Sequence, residues 1–210
     1  MKKKSLSRAD KFIPLLRNKN IRTILDVGAG YGHIAERLAE RLGAKAYIIE
    51  PNQCAADYVT KSGKCTYAGP SIVSLQTDQK FDLVVFSHCL ENIVDPVSAL
   101  TAARNLLSAN GHLLIETPNV DWQPSMHIYH PHCYSPGSLT ALLAQAGMEI
   151  VDLIRSGQPS TRVFPRYITA LSRQGSSTLT IRTTSDRRVK LQHWLSEIII
   201  GRGRRKKKKI

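Results

Sequence analysis

The 210-residue chain predicts an α/β three-layer sandwich built around a mostly parallel, seven-stranded sheet. Three observations carry that expectation. Short β-like runs alternate with helical stretches over most of the length, the pattern of right-handed crossovers that cover both faces of one sheet. One run, residues 81–86, is apolar at nearly every position, as a parallel strand buried on both faces should be. A composition of 42% hydrophobic and 22% charged residues is that of a globular chain, which excludes wholesale disorder and a disulfide-held miniature.

Residues 1–20 are expected to form a short N-terminal helical segment, and 21–27 the first strand. A helix follows over about 31–42, where Ile34, Leu38, Ala39 and Leu42 keep helical spacing and Gly43 is placed to end it. Next come a strand at 46–49, a helix through 55–59, a weaker strand around 64–67 and the apolar strand at 81–86. Asp95 and Pro96 supply an N-cap and a first-turn proline for a helix whose apolar face is Val97, Leu100, Ala103, Leu106 and Leu107. The fifth strand is 111–116. Ser135 and Pro136 then open a helix carrying Leu139, Leu142, Leu143 and Ala146, which Gly147 stops. Strands at 148–154 and 167–171 complete the seven, so 21–174 reads as one domain. Beyond a Gly-Ser-Ser-Thr boundary at 175–178, residues 186–200 predict an amphipathic helix with Leu191, Trp194, Leu195 and Ile198 on one face.

The net charge of +14 is concentrated at the ends. Lys2, Lys3 and Lys4 supply three positive charges and residues 202–209 supply seven; without those ten the remainder carries +4. The body is therefore only mildly basic, and the basic tail of the 175–210 region is a candidate for weak contact with an anionic membrane or a nucleic acid. No run approaches the ~18 apolar residues of a spanning helix, and the lysines after Met1 lead into polar residues rather than a signal-peptide stretch. Cys54, Cys65, Cys89 and Cys133 form no CxxC pair and no zinc-finger spacing. A reducing, cytoplasmic location is expected.

In an open α/β sheet the ligand sits beyond the carboxyl ends of the strands, where the first strand here ends in Asp26-Val27-Gly28-Ala29-Gly30-Tyr31-Gly32. Glycines let the backbone approach a ligand and expose helix N-terminal amides that suit an anionic group. A dinucleotide fingerprint would need its third glycine at position 33, which is His33. The pattern Asp26-x-Gly28-x-Gly30-x-Gly32 instead resembles the first motif of the class I S-adenosylmethionine-dependent methyltransferases, which implies a Rossmann-like fold and S-adenosyl-L-methionine as cofactor. Glu50 closes the second strand 20 residues after Gly30, where a carboxylate can accept two ribose hydroxyl bonds. Candidate cofactor-binding residues are thus Asp26, Gly28, Gly30, Gly32 and Glu50, with Pro51, Ser71 and Ser87 beside them. Residues 81–96 are similar to the family's fourth strand and following loop, with Asn92 where a histidine is usual, and 106–119 resembles its fifth strand, ending Glu116-Thr117-Pro118-Asn119. The acid that often binds adenine in the family is absent from 68–72, which leaves backbone groups near 69–72 for that role.

Between the fifth strand and the next helix the chain reads Tyr129-His130-Pro131-His132, then Ser135 and Leu139-x-x-Leu142-Leu143. This resembles a segment of glycan- and sugar-modifying methyltransferases, including deoxysugar C-methyltransferases. Those usually carry glutamate between the two histidines, and Pro131 can neither accept a proton nor orient a neighbour, which argues against C-methylation. Removing a hydroxyl proton suits histidine near neutral pH, so His130 or His132 is the expected base, with His88 at the end of the fourth strand next. His127, His130, His132 and Cys133 are ligand types whose spacing fits no common zinc pattern, so no metal is expected. The expected activity is methyl transfer to a small-molecule or saccharide acceptor. Two alternatives stay open: an RNA or DNA methyltransferase using the basic ends, and a non-catalytic methyltransferase-like binding protein acting through its C-terminal helix. With so short an N-terminal segment, cover for the substrate is expected from the loop at 120–134 or from a partner.

Overall fold

The computed structural model describes residues 2–122, 130–161 and 164–175. The expected C-terminal helix, the basic tail and His127 lie outside them.

The described chain forms a seven-stranded sheet with helices on both faces. Its strands are β1 (Thr23–Val27), β2 (Lys45–Ile49), β3 (Thr66–Gly69), β4 (Phe81–Ser87), β5 (Leu107–Pro118), β6 (Met148–Ser156) and β7 (Tyr167–Gln174). The helices are α1 (Lys2–Leu16), α2 (His33–Leu42), α3 (Gln53–Ser62), α4 (Pro96–Leu106) and α5 (Pro136–Gln145). Strand order is β3-β2-β1-β4-β5-β7-β6. The first five strands pair in parallel, whereas β7 runs antiparallel between β5 and β6. The reason lies in the connections. Helices α2, α3, α4 and α5 lie in the connections after β1, β2, β4 and β5, whereas the ten residues 157–166 show no helix among those described, and so short a link returns β7 antiparallel beside β6.

Alternation along the central strands divides the core in two. Leu25, Val84, Phe86, Leu113 and Ile115 face α4 and α5, meeting Ala99, Leu100, Ala103, Leu139 and Leu143. Ile24, Leu83, Val85, Leu114 and Leu171 face the other side, where Ala9, Phe12 and Leu16 of α1 join Ile34 and Leu38 of α2. The N-terminal segment is therefore a packed part of the second helical layer.

Caps fix the helix starts close to where the sequence placed them. Asp95 accepts a bond from the Ser98 amide at 3.0 Å and opens α4 with Pro96 in its first turn. Ser135 and Ser138 form a capping box at the start of α5. Gly43 ends α2 in the left-handed conformation. Observed strands run longer than expected at β5, β6 and β7, because ladder bonds extend past the apolar stretch that patterning detects.

Candidate active site

The chain leaves β1 toward β2 and β3, then returns to lay β4 on its other side, so the carboxyl ends of β1 and β4 flank a topological switch point. A cavity of about 420 Å³ opens there, lined by Gly28, Glu50, Pro51, Ser71, His88, Asn92 and their neighbours. Gly28 is the residue of the glycine turn that lines it. Gly28, Gly30 and Gly32 adopt φ of 69°, 55° and 72°, and a Cβ on Gly28 would lie 2.4 Å from the Cys89 Sγ. Amides of Gly28 and Ala29 donate to the Ile49 carbonyl at 2.8 and 3.2 Å, which pins the turn against the end of β2.

Glu50, nearly buried, takes a 2.6 Å bond from the Gly30 amide on Oε2 and a 2.8 Å bond from the Asn52 amide on Oε1. Those two bonds fix the carboxylate while leaving each oxygen a further lone pair. Asp26 is fully buried behind the turn. Burial, opposed by the Ala35 amide and reinforced by the charge of Glu50, pushes its carboxyl up to about 7. Its Oδ2 and the Oγ of Ser87 are buried polar atoms without a hydrogen-bond partner. Apolar walls from Ile49, Pro70, Ile72, Ile93 and Ala99 complete the cavity. A held carboxylate beside the tight glycine turn, the N-terminus of α2 that follows it and apolar walls fit a nucleoside with a charged tail, as S-adenosyl-L-methionine is. Gly28, Glu50, Pro51 and Ser71 line the cavity. Asp26, Gly30, Gly32 and Ser87 lie behind them as support, Gly30 by its bond to Glu50 and Gly32 as the N-cap of α2.

His88 follows β4 and enters the same cavity. Its φ of 54° is the one left-handed non-glycine conformation among the described residues, a strain of about 1–2 kcal/mol that its surroundings must hold. Its amide donates to the Glu116 carbonyl at 2.8 Å. Its ring lies between two buried carboxylates, with Nδ1 3.6 Å from Glu91 and Nε2 3.4 Å from Glu116. Tyr167 packs edge-on against the ring. Burial, then the positive charges of Arg8, Lys11 and His130, push the imidazole down to about 3, so it is neutral at pH 7. Burial pushes the Glu91 carboxyl up to about 7.

Glu116 is fully buried at the end of β5 and gathers its partners from distant elements. Arg8 Nε lies 3.1 Å from Oε1, Lys11 Nζ bonds Oε2, and Thr169 Oγ1 donates to Oε2 at 3.1 Å. Arg8 and Lys11 also stand over the Tyr167 ring. Sequence reasoning missed this group of Arg8, Lys11, Glu91, Glu116 and Tyr167. The i, i+3 spacing of Arg8 and Lys11 on a helix was the available signal.

The other two candidate bases are placed differently. His132 Nε2 lies 3.1 Å from the Val94 carbonyl, and its ring stacks near Tyr134 and lines a separate groove against α5. His130 is half-buried, and its charge is felt at His88. Of the three histidines, only His88 lines the glycine-turn cavity. Among the described residues no group of three or more His, Cys, Asp or Glu side chains is arranged to hold a metal ion.

These features place the chain among the class I S-adenosylmethionine-dependent methyltransferase folds. It matches the family model described as a methyltransferase domain over residues 2–153 and belongs to that family. A ubiquinone biosynthesis O-methyltransferase of Dinoroseobacter shibae is 33% identical over 151 residues, covering 61% of this chain and 60% of that protein. Among solved structures, an S-adenosylmethionine-dependent methyltransferase from Clostridium acetobutylicum superposes with a TM-score of 0.66 at 14% identity, covering 82% of this chain and 92% of the other. The CcbJ methyltransferase of Streptomyces caelestis gives a TM-score of 0.68 at 16% identity, with 82% and 90% covered. The family and the seven-stranded Rossmann-like fold read from the sequence are borne out.

Proposed function

We propose that the protein is an S-adenosyl-L-methionine-dependent O-methyltransferase acting on a hydroxyl of a small-molecule or saccharide acceptor. The carrying observation is that Gly28 of the glycine turn, Glu50 and His88 line one cavity. The catalytic domain is placed over 21–174, with the 1–20 segment completing the site through Arg8 and Lys11. The name of the Dinoroseobacter relative supports a hydroxyl acceptor.

When bound, the cofactor supplies an electrophilic methyl group. The N-terminus of α2 would hold its carboxylate and Glu50 its ribose hydroxyls, and the apolar walls would keep water from the ring. His88 supplies a neutral imidazole for the acceptor hydroxyl proton. Its contacts with Glu91 and Glu116 exceed ordinary hydrogen-bond length, which leaves the ring free to take a closer partner. Once the proton arrives, the Glu116 carboxylate stabilises the imidazolium. Four free thiols support a reducing, cytoplasmic setting, and no helix among the described residues is long and apolar enough to cross a membrane. The basic run at 202–209 supports an additional contact with an anionic surface.

Calorimetry with S-adenosyl-L-methionine tests the cofactor site. Glu50→Ala is expected to lose ~1.5–3 kcal/mol of binding if its ribose bonds are charge-assisted. Transfer of labelled methyl to catechol is expected to fall about 10²–10⁴-fold in His88→Ala with cofactor affinity retained. A folded wild-type chain that binds no cofactor contradicts the reading.

A further inference from the structure

A second cavity, of about 470 Å³, opens where α1 meets the end of β6 and the approach to β7. Lys11, Arg155, Ser156, Gln158, Thr161 and Phe164 line it, so among the described residues two cations face it and no acidic side chain does. Lys11 is the wall it shares with the His88 cluster. On the cluster side Nζ bonds Glu116; on the cavity side it reaches Ser156 Oγ at 3.3 Å and the Gln158 carbonyl at 3.5 Å. Both cavity-side contacts are long for an ammonium, which therefore holds donor capacity for a stronger acceptor.

Charge balance points the same way. Arg8 and Lys11, with side chains only 17% and 20% exposed, both converge on the single carboxylate of Glu116. The neighbouring imidazole of His88 is neutral, and burial favours the protonated form of Glu91. A partly buried excess of positive charge is costly unless an anion joins it. Arg155 adds a further positive charge at the mouth, while Phe164 and Pro165 offer an apolar wall for an organic group.

We propose that this cavity is the tail pocket of the methyl acceptor and binds an oxyanion group, carboxylate or phosphate monoester, between Lys11 and Arg155, one carboxylate away from His88. The inference rests on the methyltransferase reading and adds a substrate class to it: acidic, hydroxyl-bearing small molecules.

Calorimetric titration of the full chain with benzoate, phenyl phosphate and neutral benzyl alcohol tests it. The charged probes are expected to bind at least about ten-fold more tightly than the alcohol, as one charge-assisted contact would give. That ratio is expected to fall below about three-fold in Lys11→Met and in Arg155→Gln. Arg155 is exposed on the edge strand, so its variant folds even if Lys11→Met does not. Tighter phenyl phosphate identifies a phosphorylated acceptor and tighter benzoate a carboxylated one; either supports the pocket. Equal binding of all three probes overturns it, as does a preference that survives Arg155→Gln. Inorganic phosphate binding as tightly as phenyl phosphate overturns the acceptor role. Cofactor affinity on the same samples keeps the two readings apart: absent cofactor binding defeats the methyltransferase reading, whereas normal cofactor binding without charge preference defeats only the pocket.

Discussion

Glu91 stands 3.6 Å from the His88 ring and takes a bond from Thr117 Oγ1, yet burial still pushes its carboxyl up from 4.5 to about 7. The folded state thus holds a proton that the unfolded chain releases above the ordinary glutamate range. Its contribution to stability is complete below about pH 4.5 and is lost as pH rises through about 7. Glu91→Gln, which cannot ionise, is expected to gain about 1–3 kcal/mol on the wild type between pH 5 and pH 8, read from unfolding curves at the two values. A variant that tracks the wild type at both would show that Glu91 ionises normally. At this scale legibility follows chain distance. Asp26, the three glycines and Glu50 fall within 25 residues of one another, so their spacing alone displays a ligand site. Lys11 and Glu116 are 105 residues apart, and nothing local in either segment announces the other. His130 and His132 drew attention as a dense pair, but the backbone turns His132 toward the Val94 carbonyl and away from the glycine-turn cavity.

Among the elements, α1 links stability to the site. Ala9, Phe12 and Leu16 bury one face of the helix on the sheet, while Arg8 and Lys11, on adjoining positions, reach Glu116 near the carboxyl end of β5. The helix can present those cations only if its apolar face is docked. Phe12 is fully buried, so Phe12→Ala is expected to cost about 3–5 kcal/mol, measured as a shifted denaturant midpoint. Loss of docking should also lower methyl transfer more than cofactor affinity, because the described lining of the cavity comes from the segments that end or follow β1, β2, β3 and β4 and from α4, and not from α1. A variant with normal stability would mean that α1 is held by its charged contacts instead. The sequence predicted a helical segment here but gave no sign of what it touches, since an amphipathic pattern names a buried face and not its partner. Strand β7 shows a similar limit. Its residues were recognisable as a strand, whereas its place between β5 and β6 depends on pairing that only the assembled sheet decides.

For the whole molecule, the charge distribution separates a mildly basic body from two strongly basic ends that the net value of +14 merges. The glycine-turn cavity needs no strongly basic surface, and the body without its end runs carries only +4. Seven cations in residues 202–209 form a dense run whose attraction to phosphate is long-ranged at low salt and screened within ~8 Å at physiological ionic strength. If that run contacts nucleic acid, each neutralised phosphate adds about 0.9 to the steepness with which duplex affinity falls with salt. Deleting 202–210 is then expected to flatten the log–log salt dependence of DNA retention by as much as about six. Binding of S-adenosyl-L-methionine should stay within about two-fold, because the described lining of the cavity is supplied by residues 27–99. A salt slope unchanged by the deletion would move the anionic contact to the body of the protein, where Arg8, Lys11 and Arg155 stand beside Glu116 or the second cavity. The acidic-acceptor pocket and the polyanion contact would then compete for the same charges, and phenyl phosphate would displace DNA in direct proportion to its occupancy of the pocket.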